Sequence, residues 1–409
     1  MNIKIENIFK GDKVIWMILF LFCMISIVEV FSASSLLTYK SHDYFAPISY
    51  HSRTIIVGVL VAIIIQNIPY PLFRLSIPFL FCFSGTTLLW VLLAGTKIGD
   101  AGRWISLFGL TFQPSEIAKG TVVLIVAHIL ARMQRENGAD EKAFRWILGI
   151  TIPACILIGL ENLSTALLLF AIVFLMMFYG LVLSRQLLKL VAIIILGVVV
   201  SFVLVMSLGH EINEEDKDTK IEQVEVPQEK GIIDKMFHRF DTWKSRIVEF
   251  GKPMPAPEKY DLDKNAQVAH ANIAIVTSGI IGKGPGKSTE RDFLSQAFSD
   301  FIFAIVIEEL GLLGAFAVVL LYIILLFRCI RIACRCEKRF PAFLVMGLCL
   351  LLVSQAMFNM MVSVGLVPVT GQPLPLVSKG GTSTIINCAY IGVILSVSRS
   401  LNKKNQNVY

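Results

Sequence analysis

The sequence predicts an all-α integral membrane protein with about ten transmembrane helices. Of its 409 residues, 55% are hydrophobic and only 16% are charged, and the mean hydropathy is +0.71. Soluble domains average about 25% charged residues, so most of this chain is expected to lie in lipid. Apolar runs close to the ~20 residues that cross a bilayer also recur along the chain.

The apolar runs define ten spans and one shorter helix at about 265–280. The spans are predicted at residues 13–34, 54–70, 75–95, 115–133, 146–160, 164–182, 187–208, 300–328, 341–364 and 382–400. The long run 146–182 is interrupted only at Glu161 and Asn162, so the number of spans depends on where it divides. The first run is too long for a cleaved signal peptide and predicts a retained signal anchor.

The distribution of lysine and arginine predicts the orientation of the spans. The loops on one side carry most of these cations: Lys4, Lys10, Lys13, Arg74, Arg132, Arg135, Lys142, Arg145, Arg185, Lys189, Arg328, Arg331, Arg335, Lys338, Arg339, Arg399, Lys403 and Lys404. The opposite short loops hold Lys40, Arg53, Lys97, Arg103 and Lys379. The positive side is assigned to the cytoplasm, with both termini inside. The net charge of +7 reflects this inner rim and does not indicate a nucleic-acid partner.

The chain divides into three regions. Residues 1–208 hold spans one to seven, and residues 300–409 hold spans eight to ten with a cytoplasmic tail. Between the seventh and eighth spans, residues 209–299 form a large extracytoplasmic loop. Its acidic segment 211–229 is expected to be solvated chain. Residues 232–250 mix apolar, aromatic and charged residues at helical spacing, which predicts an amphipathic helix on the outer leaflet.

The cysteines indicate neither a metal centre nor a disulfide framework. Five of them lie inside apolar runs and are expected to pack as small core residues. Cys329, Cys334 and Cys336 lack the paired spacing and the nearby histidine of a zinc site. We therefore expect no protein-bound zinc.

The glycine-rich segment Gly282–Ser288 is close to a phosphate-binding P-loop but does not match it. The spacing is one residue short, Ile281 occupies the position of the first glycine, and no strand precedes the segment. Its glycines still allow backbone amides to approach a phosphate, and Lys283 and Lys287 add positive charge. The alternative is a flexible turn between two helices.

Seven polar motifs lie at the outward ends of the apolar runs, where polar groups near hydrocarbon tend to mark function. They are Gly102–Ile105, Gln113–Lys119, Arg239–Asp263, Gly282–Gly286, Ser299–Ala304, Glu308–Glu309 and Pro373–Gly381. In this order they resemble the outward loops of the SEDS proteins (shape, elongation, division and sporulation), the FtsW/RodA group of peptidoglycan polymerases. The resemblance covers nearly the whole chain.

The resemblance implies an enzyme that polymerises lipid II, a disaccharide-pentapeptide on undecaprenyl diphosphate, into glycan strands. Transfer to a sugar hydroxyl needs a base for its proton, and the diphosphate leaving group needs cations. The substrate-binding candidates are Arg103, Glu116, Lys119, Arg246, Lys283, Ser378, Lys379 and Gly380. A divalent cation, Mg²⁺ or Mn²⁺, is compatible with this chemistry, but no cluster of ligands requires one.

Asp261 and Asp263 are the candidate catalytic bases. The family's Asp-Pro-x-x-x-Gly-Tyr-Gln region is altered here to Tyr260–Gln267, and the register set by the following short helix places the family aspartate at or beside Asp261. Two further departures concern other motifs. The acidic residue of the family's Glu/Gln-Pro-Asp-x-Gly-Thr segment is lost in Glu161–Thr165, and Lys379 replaces an aromatic residue before the paired glycines.

Several candidates also have a purely structural explanation. Glu116 and Lys119 are three residues apart and can simply pair with each other on one helix face. Glu308 and Glu309 lie inside a span, where charge is costly, so a pair with a neighbouring element explains them as well as a direct role does. The prolines and glycines of 373–381 can merely shape a re-entrant loop.

The role within the family is open between alternatives. We expect a division (FtsW-like) polymerase in the bacterial inner membrane at the septum. Its expected partners are a class B penicillin-binding protein transpeptidase and other division proteins. An elongation (RodA-like) polymerase, a lipid II flippase and a non-catalytic scaffold are the alternatives. The transpeptidase contact is expected at small residues of the ninth span, namely Gly347, Ser354, Ala356 and Ser363.

Overall fold

The described part of the chain is largely helical. The computed structural model describes residues 9–33, 46–94, 96–98, 101–107, 110–136, 138–194, 266–294 and 297–406. The chain divides into two compact units, the first made of Met1–Leu183, Leu262–Leu366 and Thr370–Tyr409, the second of Ser184–Asp261 and Val367–Val369. In the second unit, residues 184–194 are helical.

The helices of the first unit have the following bounds. They are α1 Lys13–Ala33, α2 Ala46–Asn67, α3 Tyr70–Leu75, α4 Ile77–Ala94, α5 Pro114–Arg132, α6 Glu141–Glu161, α7 Leu163–Tyr179, α8 Ala266–Ser278, α9 Ile302–Cys334, α10 Arg339–Ser363 and α11 Thr382–Gln406. A short 3-10 helix spans Glu290–Asp292.

The helices confirm the predicted class of fold. Seven of them are long and apolar enough to cross a membrane, and two more, Ile77–Leu93 and Leu163–Tyr179, are apolar but shorter. These nine correspond to nine of the ten predicted spans. The remaining span, 187–208, and the amphipathic segment 232–250 lie mostly or wholly outside the described residues, so the count of ten, the three-region division and the position of the large loop stay predictions.

The run 146–182 divides into two helices at Asn162. The Asn162 side chain accepts hydrogen bonds from the backbone N–H groups of Ser164 (3.1 Å) and Thr165 (3.3 Å), so it caps the start of α7. Asn162 itself is extended (φ −152°, ψ 102°), which ends α6. A polar side chain that satisfies free amides is a strong helix start even within an apolar run.

A small antiparallel sheet lies between α4 and α5, where the sequence analysis predicted only a loop. Its strands are β1 Thr96–Ile98, β2 Ala101–Leu107 and β3 Leu110–Phe112, in the order β1-β2-β3. In the second pair, Ile105 lies opposite Phe112 and Leu107 opposite Leu110. A second hairpin, β4 Gln134–Arg135 with β5 Gly138–Ala139, joins α5 to α6.

The helix α9 is broken near its first third, whereas the sequence predicted one continuous span. Gly311 has φ 70° and ψ −171°, a backbone conformation that interrupts the helix. This region of conformational space is essentially restricted to glycine. The first segment, residues 302–310, is buried almost throughout, while the second carries exposed apolar side chains such as Leu312 and Phe316.

The helix α10 lies in the interior of the first unit and packs against α5, α7 and α9. A Cβ added at Gly347 would lie 2.6 Å from Val123 of α5 and 2.7 Å from Met176 of α7. Ala356 and Ser363 are also buried within the chain. The prediction that this row of small residues contacts a partner is therefore wrong, because three of its four members pack inside the protein itself.

Candidate active site and its polar core

The motif Gln113–Lys119 begins α5 and buries an ion pair. Pro114 occupies the first helical turn, where its missing N–H costs nothing, and Glu116 follows in the same turn. The Lys119 ammonium donates to Glu116 Oε1 at 2.8 Å and to Gln355 Oε1 at 2.8 Å. Lys119 is fully buried, with 0% of its surface exposed. The structural pairing is therefore present, and the substrate-binding roles of Glu116 and Lys119 stay predictions.

The helix α10 supplies two amide side chains that continue this network. Gln355 Nε2 donates to the carbonyl of Pro373 at 3.2 Å. Asn359, one turn further on, donates from Nδ2 to the carbonyls of Gln372 (2.7 Å) and Asp300 (2.8 Å). We call Gln355 and Asn359 together the amide cradle. Its effect is to satisfy carbonyls of a non-helical segment inside the protein.

The segment that the amide cradle holds is residues 370–381, which form an irregular backbone between α10 and α11. Two more of its carbonyls accept side-chain hydroxyls: Pro375 from Tyr322, and Val377 from Ser26 at 2.6 Å. Its Gln372 side chain donates to Thr165 Oγ1 at 2.8 Å. Non-helical backbone at membrane depth needs such internal partners, which agrees with the predicted re-entrant loop.

Ser378 ties this segment to the residues before α9. Its hydroxyl donates to the carbonyl of Ser299 at 2.6 Å and accepts from the backbone N–H of Leu374 at 2.7 Å. Gly380 accepts a hydrogen bond from the N–H of Ser383 at 2.9 Å at the start of α11. A Cβ at Gly380 would lie 3.1 Å from Ser383 Cβ. Both residues thus have clear positioning contacts, and their contact with substrate stays a prediction.

Lys379 differs from the other predicted cations in its environment. Its backbone N–H donates to the carbonyl of Phe298 at 2.9 Å, and its ammonium lies 5.0 Å from the centre of the Phe298 ring. Within the described residues it forms no ion pair. Burial lowers the pKa of the Lys379 ammonium below its usual range, because the surroundings disfavour the charged form. A half-buried cation of this kind is well suited to receive an anionic group.

Glu308 and Glu309 hold the glycine-rich loop from the other side of the site. Glu308 accepts from the Lys283 ammonium (2.6 Å) and from both the N–H (3.0 Å) and hydroxyl (2.9 Å) of Thr289. Glu309 accepts from the N–H groups of Gly286 (2.9 Å) and Ser288 (3.2 Å). We call these two glutamates with residues 282–289 the carboxylate clasp. The loop amides of the clasp therefore bind the protein's own carboxylates, and Lys283 is in an ion pair with Glu308.

The backbone of the same loop fills the break in α9. The N–H groups of Lys283 and Gly284 donate to the carbonyls of Glu308 (3.0 Å) and Glu309 (2.8 Å). On the other side of the break, the N–H groups of Leu312 and Leu313 donate to the carbonyls of Gly279 (3.3 Å) and Ile280 (3.2 Å). A helix end buried without partners would be costly, so the loop and the break require each other.

Two further contacts join the clasp to neighbouring elements. On α1, the Ser32 hydroxyl donates to Glu309 and accepts from the Arg291 guanidinium at 3.0 Å. On α8, His270 Nδ1 is 2.6 Å from Glu290 Oε2, which connects this helix to the 3-10 helix. The clasp thus fixes α1, α9 and the chain that follows α8 in one arrangement.

Several predicted site residues cannot be placed against this core. Asp261, Asp263 and Arg246 lie outside the described residues, and Arg103 is described only as a backbone position in β2. Their assignments stay predictions. Among the described residues, no group of three or more His, Cys, Asp or Glu side chains could hold a metal ion.

Sequence reasoning missed the amide cradle. Gln355 and Asn359 are polar residues four apart in an apolar span, so they share one helix face. Polar side chains inside a membrane span are a known signal of function or internal contact. That signal is present in the sequence, beside the row of small residues that predicted a partner interface.

The fold and the polar core together define a class of protein. It is a polytopic membrane protein in which buried charges and an irregular backbone segment lie close to the ends of the apolar helices. The family model for the FtsW, RodA and SpoVE group, described as "Cell cycle protein", matches residues 12–403. The chain therefore belongs to this family.

Relatives from several bacteria match over most of their length. A probable peptidoglycan glycosyltransferase FtsW of Geobacter sp. (strain M18) is 29% identical over 397 residues, covering 95% of this chain and 96% of the relative. Stage V sporulation protein E of Bacillus subtilis is 28% identical, covering 95% and 97%. The peptidoglycan glycosyltransferase MrdB of Escherichia coli is 28% identical, covering 84% and 83%.

Solved structures support the same fold. A chain of the structure described as "Structural coordination of polymerization and crosslinking by a peptidoglycan synthase complex" has a TM-score of 0.71 and 22% identity, covering 95% of this chain and 98% of that chain. The rod shape determining protein RodA of Thermus thermophilus has a TM-score of 0.61 and 23% identity, covering 96% and 98%. At these identities the likeness concerns the fold alone.

Proposed function

We propose that this protein is a peptidoglycan glycosyltransferase that polymerises lipid II into glycan strands during cell division. The observation that carries the proposal is the family match over residues 12–403. It is supported by relatives named as FtsW glycosyltransferases that cover 95% and 97% of this chain. The buried cations at one end of the spans suit a substrate whose leaving group is a lipid diphosphate.

The proposed roles divide between a base and a diphosphate site. Asp261, with Asp263 as the alternative, takes the proton of the acceptor hydroxyl as the glycosidic bond forms. Lys379 holds the departing diphosphate, since it has no carboxylate partner among the described residues. Arg103 and Arg246 are further phosphate ligands. Glu116, Lys119, Lys283, Ser378 and Gly380 maintain the shape of the walls around the bound substrate.

The catalytic assignment is tested with purified protein and fluorescent lipid II, reading glycan products on a gel. Loss of a positioned base costs about 10²–10⁴-fold in rate, so Asp261→Asn should reduce polymerisation by that factor with expression unchanged. Asp218→Asn, the same change in the acidic segment of the same predicted loop, is the matched control. If Asp263→Asn is inactive and Asp261→Asn active, the base is Asp263. Full activity in both variants would exclude this region as the source of the base.

Elongation is the second candidate function, favoured by the match to MrdB of Escherichia coli over 84% of this chain. A fluorescent fusion at midcell supports the division role, and one along the side wall supports elongation.

The proposed partner is a class B penicillin-binding protein, in line with a structural relative described as part of a peptidoglycan synthase complex. Lipid II movement across the membrane without glycan products would instead indicate a flippase.

We further propose that the protein lies in the inner membrane with both termini in the cytoplasm. The asymmetry of Lys and Arg supports this topology. In a background in which the eight native cysteines are replaced, an impermeant maleimide should label Thr219→Cys in intact cells and leave Asn137→Cys unlabelled. The reverse labelling would overturn the orientation and with it the outward position of the active site.

A further inference from the structure

A cationic cavity lies at the end of α5 remote from Glu116. It has a volume of about 310 Å³ and is lined by Arg74, His128, Ala131, Arg132, Lys338, Arg339 and Phe340. Five of these seven residues are basic, and none is acidic. Glu116 and Arg132 are separated by most of the length of a helix that is long enough to cross a membrane. The cavity is therefore unrelated to the polar core described above.

Three helices bring these cations together. Arg74 lies in the last turn of α3, and Arg132 in the last turn of α5. Lys338 immediately precedes α10 and has no side-chain cap there. The walls are fixed by two contacts. The rings of His128 and Phe340 meet edge to face at 6.1 Å, and Arg339 Nη1 donates to the carbonyl of Gln134 at 2.7 Å.

The exposed cations of this cavity repel one another modestly, and an added anion would relieve that repulsion. Arg74, Arg132 and Lys338 form no ion pair within the described residues. Like charges that share a cavity repel, and cations at the start of α10 oppose the positive end of its helix dipole. The Lys and Arg bias of the inner rim accounts for cations on this side of the membrane, but not for their gathering around one cavity. An anion bound among them would remove both costs, because helix N-termini and clustered Arg and Lys favour phosphate groups.

The surroundings select a lipid as the source of that anion. The cavity lies where membrane helices end, which is the level of lipid headgroups. Beside Arg74, the side chains of Leu75 (75% exposed) and Phe79 (70% exposed) offer apolar surface to acyl chains. Basic pockets between membrane helices are known to take acidic lipid headgroups. We propose that this cavity is a binding site for the phosphodiester headgroup of an anionic phospholipid.

The test measures binding of dioctanoyl phosphatidylglycerol to the delipidated full chain in detergent by native mass spectrometry. Dioctanoyl phosphatidylcholine and inorganic phosphate are the comparison ligands. The triple variant Arg74→Gln, Arg132→Gln, Lys338→Gln should bind phosphatidylglycerol at least about tenfold more weakly, since each nearby Lys or Arg contributes several-fold in affinity. The control triple variant Arg145→Gln, Arg331→Gln, Arg335→Gln removes the same charge from other helix ends and should change affinity less than about twofold.

Each result decides the proposal. If both triple variants lose affinity for phosphatidylglycerol equally, the effect is one of general charge and the proposal is wrong. If neither variant loses affinity, the cavity cations do not bind the lipid and the proposal is also wrong. Binding of phosphatidylcholine as tight as that of phosphatidylglycerol would also overturn it. If inorganic phosphate binds as tightly as the lipid, the site takes a soluble anion and the lipid assignment is wrong. Should the triple variant not fold, the single change Lys338→Glu at an exposed side chain gives the same comparison with one substitution.

Discussion

The amide cradle and the carboxylate clasp both hold irregular backbone, but their hydrogen bonds run in opposite directions. In the cradle, Gln355 and Asn359 donate side-chain hydrogen bonds to backbone carbonyls of an irregular segment. In the clasp, backbone amides of an irregular loop donate to the side chains of Glu308 and Glu309. The ion pair of Glu116 and Lys119, bonded to the cradle through Gln355, is sealed from solvent, whereas the clasp retains a partly exposed cation, Lys283. Removing the buried cation Lys119 should therefore cost more stability than removing the partly exposed cation Lys283.

The largest expected effect tests this difference directly. Lys119→Met leaves the carboxylate of Glu116 buried without its cation, a change that costs about 3–5 kcal/mol. Lys283→Met should cost about 1.5–3 kcal/mol, because Glu308 keeps its bonds to Ser288 and Thr289. The stability of each variant is measured by SDS titration of the detergent-solubilised protein. The double change Lys119→Met, Glu116→Gln should recover part of the loss. Equal destabilisation by Lys119→Met and Lys283→Met would contradict the comparison.

The break in α9 provides the next test. Gly311→Ala places a Cβ 2.3 Å from the carbonyl oxygen of Ile280 in a backbone conformation that alanine strains to adopt. Such strain costs about 1–3 kcal/mol, and the loop must also shift. Gly149→Ala in α6, where a Cβ meets nothing within 4 Å, should be neutral or stabilising. Thermal unfolding followed by size-exclusion chromatography measures both, and an unaffected Gly311→Ala protein would show that the clasp does not depend on the break.

The smallest expected effect is a change in activity at alkaline pH. The ammonium of Lys379 is charged below its pKa and neutral above it, and burial lowers that pKa. An ordinary lysine has a pKa of about 10.4. Diphosphate binding by Lys379 should therefore weaken at a lower pH than binding by an ordinary lysine would. In Lys379→Arg this alkaline fall should disappear, because arginine stays charged. The measurement is the pH profile of lipid II polymerisation, and an unchanged alkaline fall in the arginine variant would remove Lys379 from the diphosphate site.

The membrane spans were predicted from the sequence more completely than the contacts of the polar core. Long apolar runs located nine spans, and α1, α5 and α10 begin and end within about two residues of their predicted bounds, because burial in lipid dominates their composition. For the prolines and glycines of 373–381, a re-entrant loop was the structural alternative to a functional role, and the structure has an irregular segment there. The ion pair of Glu116 and Lys119 followed from helical spacing alone.

The remainder depends on contacts between distant parts of the chain. Gly311 looks like any glycine in an apolar run, and only the loop at Gly279–Gly284 explains why α9 breaks there. The loop amides were predicted to approach a phosphate, and in the structure they donate to the carboxylates of Glu308 and Glu309, some twenty residues later. The strands between α4 and α5 were missed because β1 and β3 have only three residues each and the seven-residue β2 lacks a clear apolar–polar alternation.

The break at Gly311 has a consequence for the electrostatic field of α9. One continuous helix would carry a single macrodipole along its whole length, whereas two segments carry two, each with about half a charge at its ends. The negative end of residues 302–310 and the positive end of the following segment therefore meet inside the protein. Glu308 and Glu309 stand at that negative end, the least favourable place for a carboxylate in a helix. Lys283 and the loop amides offset this penalty, so the loop supplies the positive charge that compensates the two carboxylates at the break in α9.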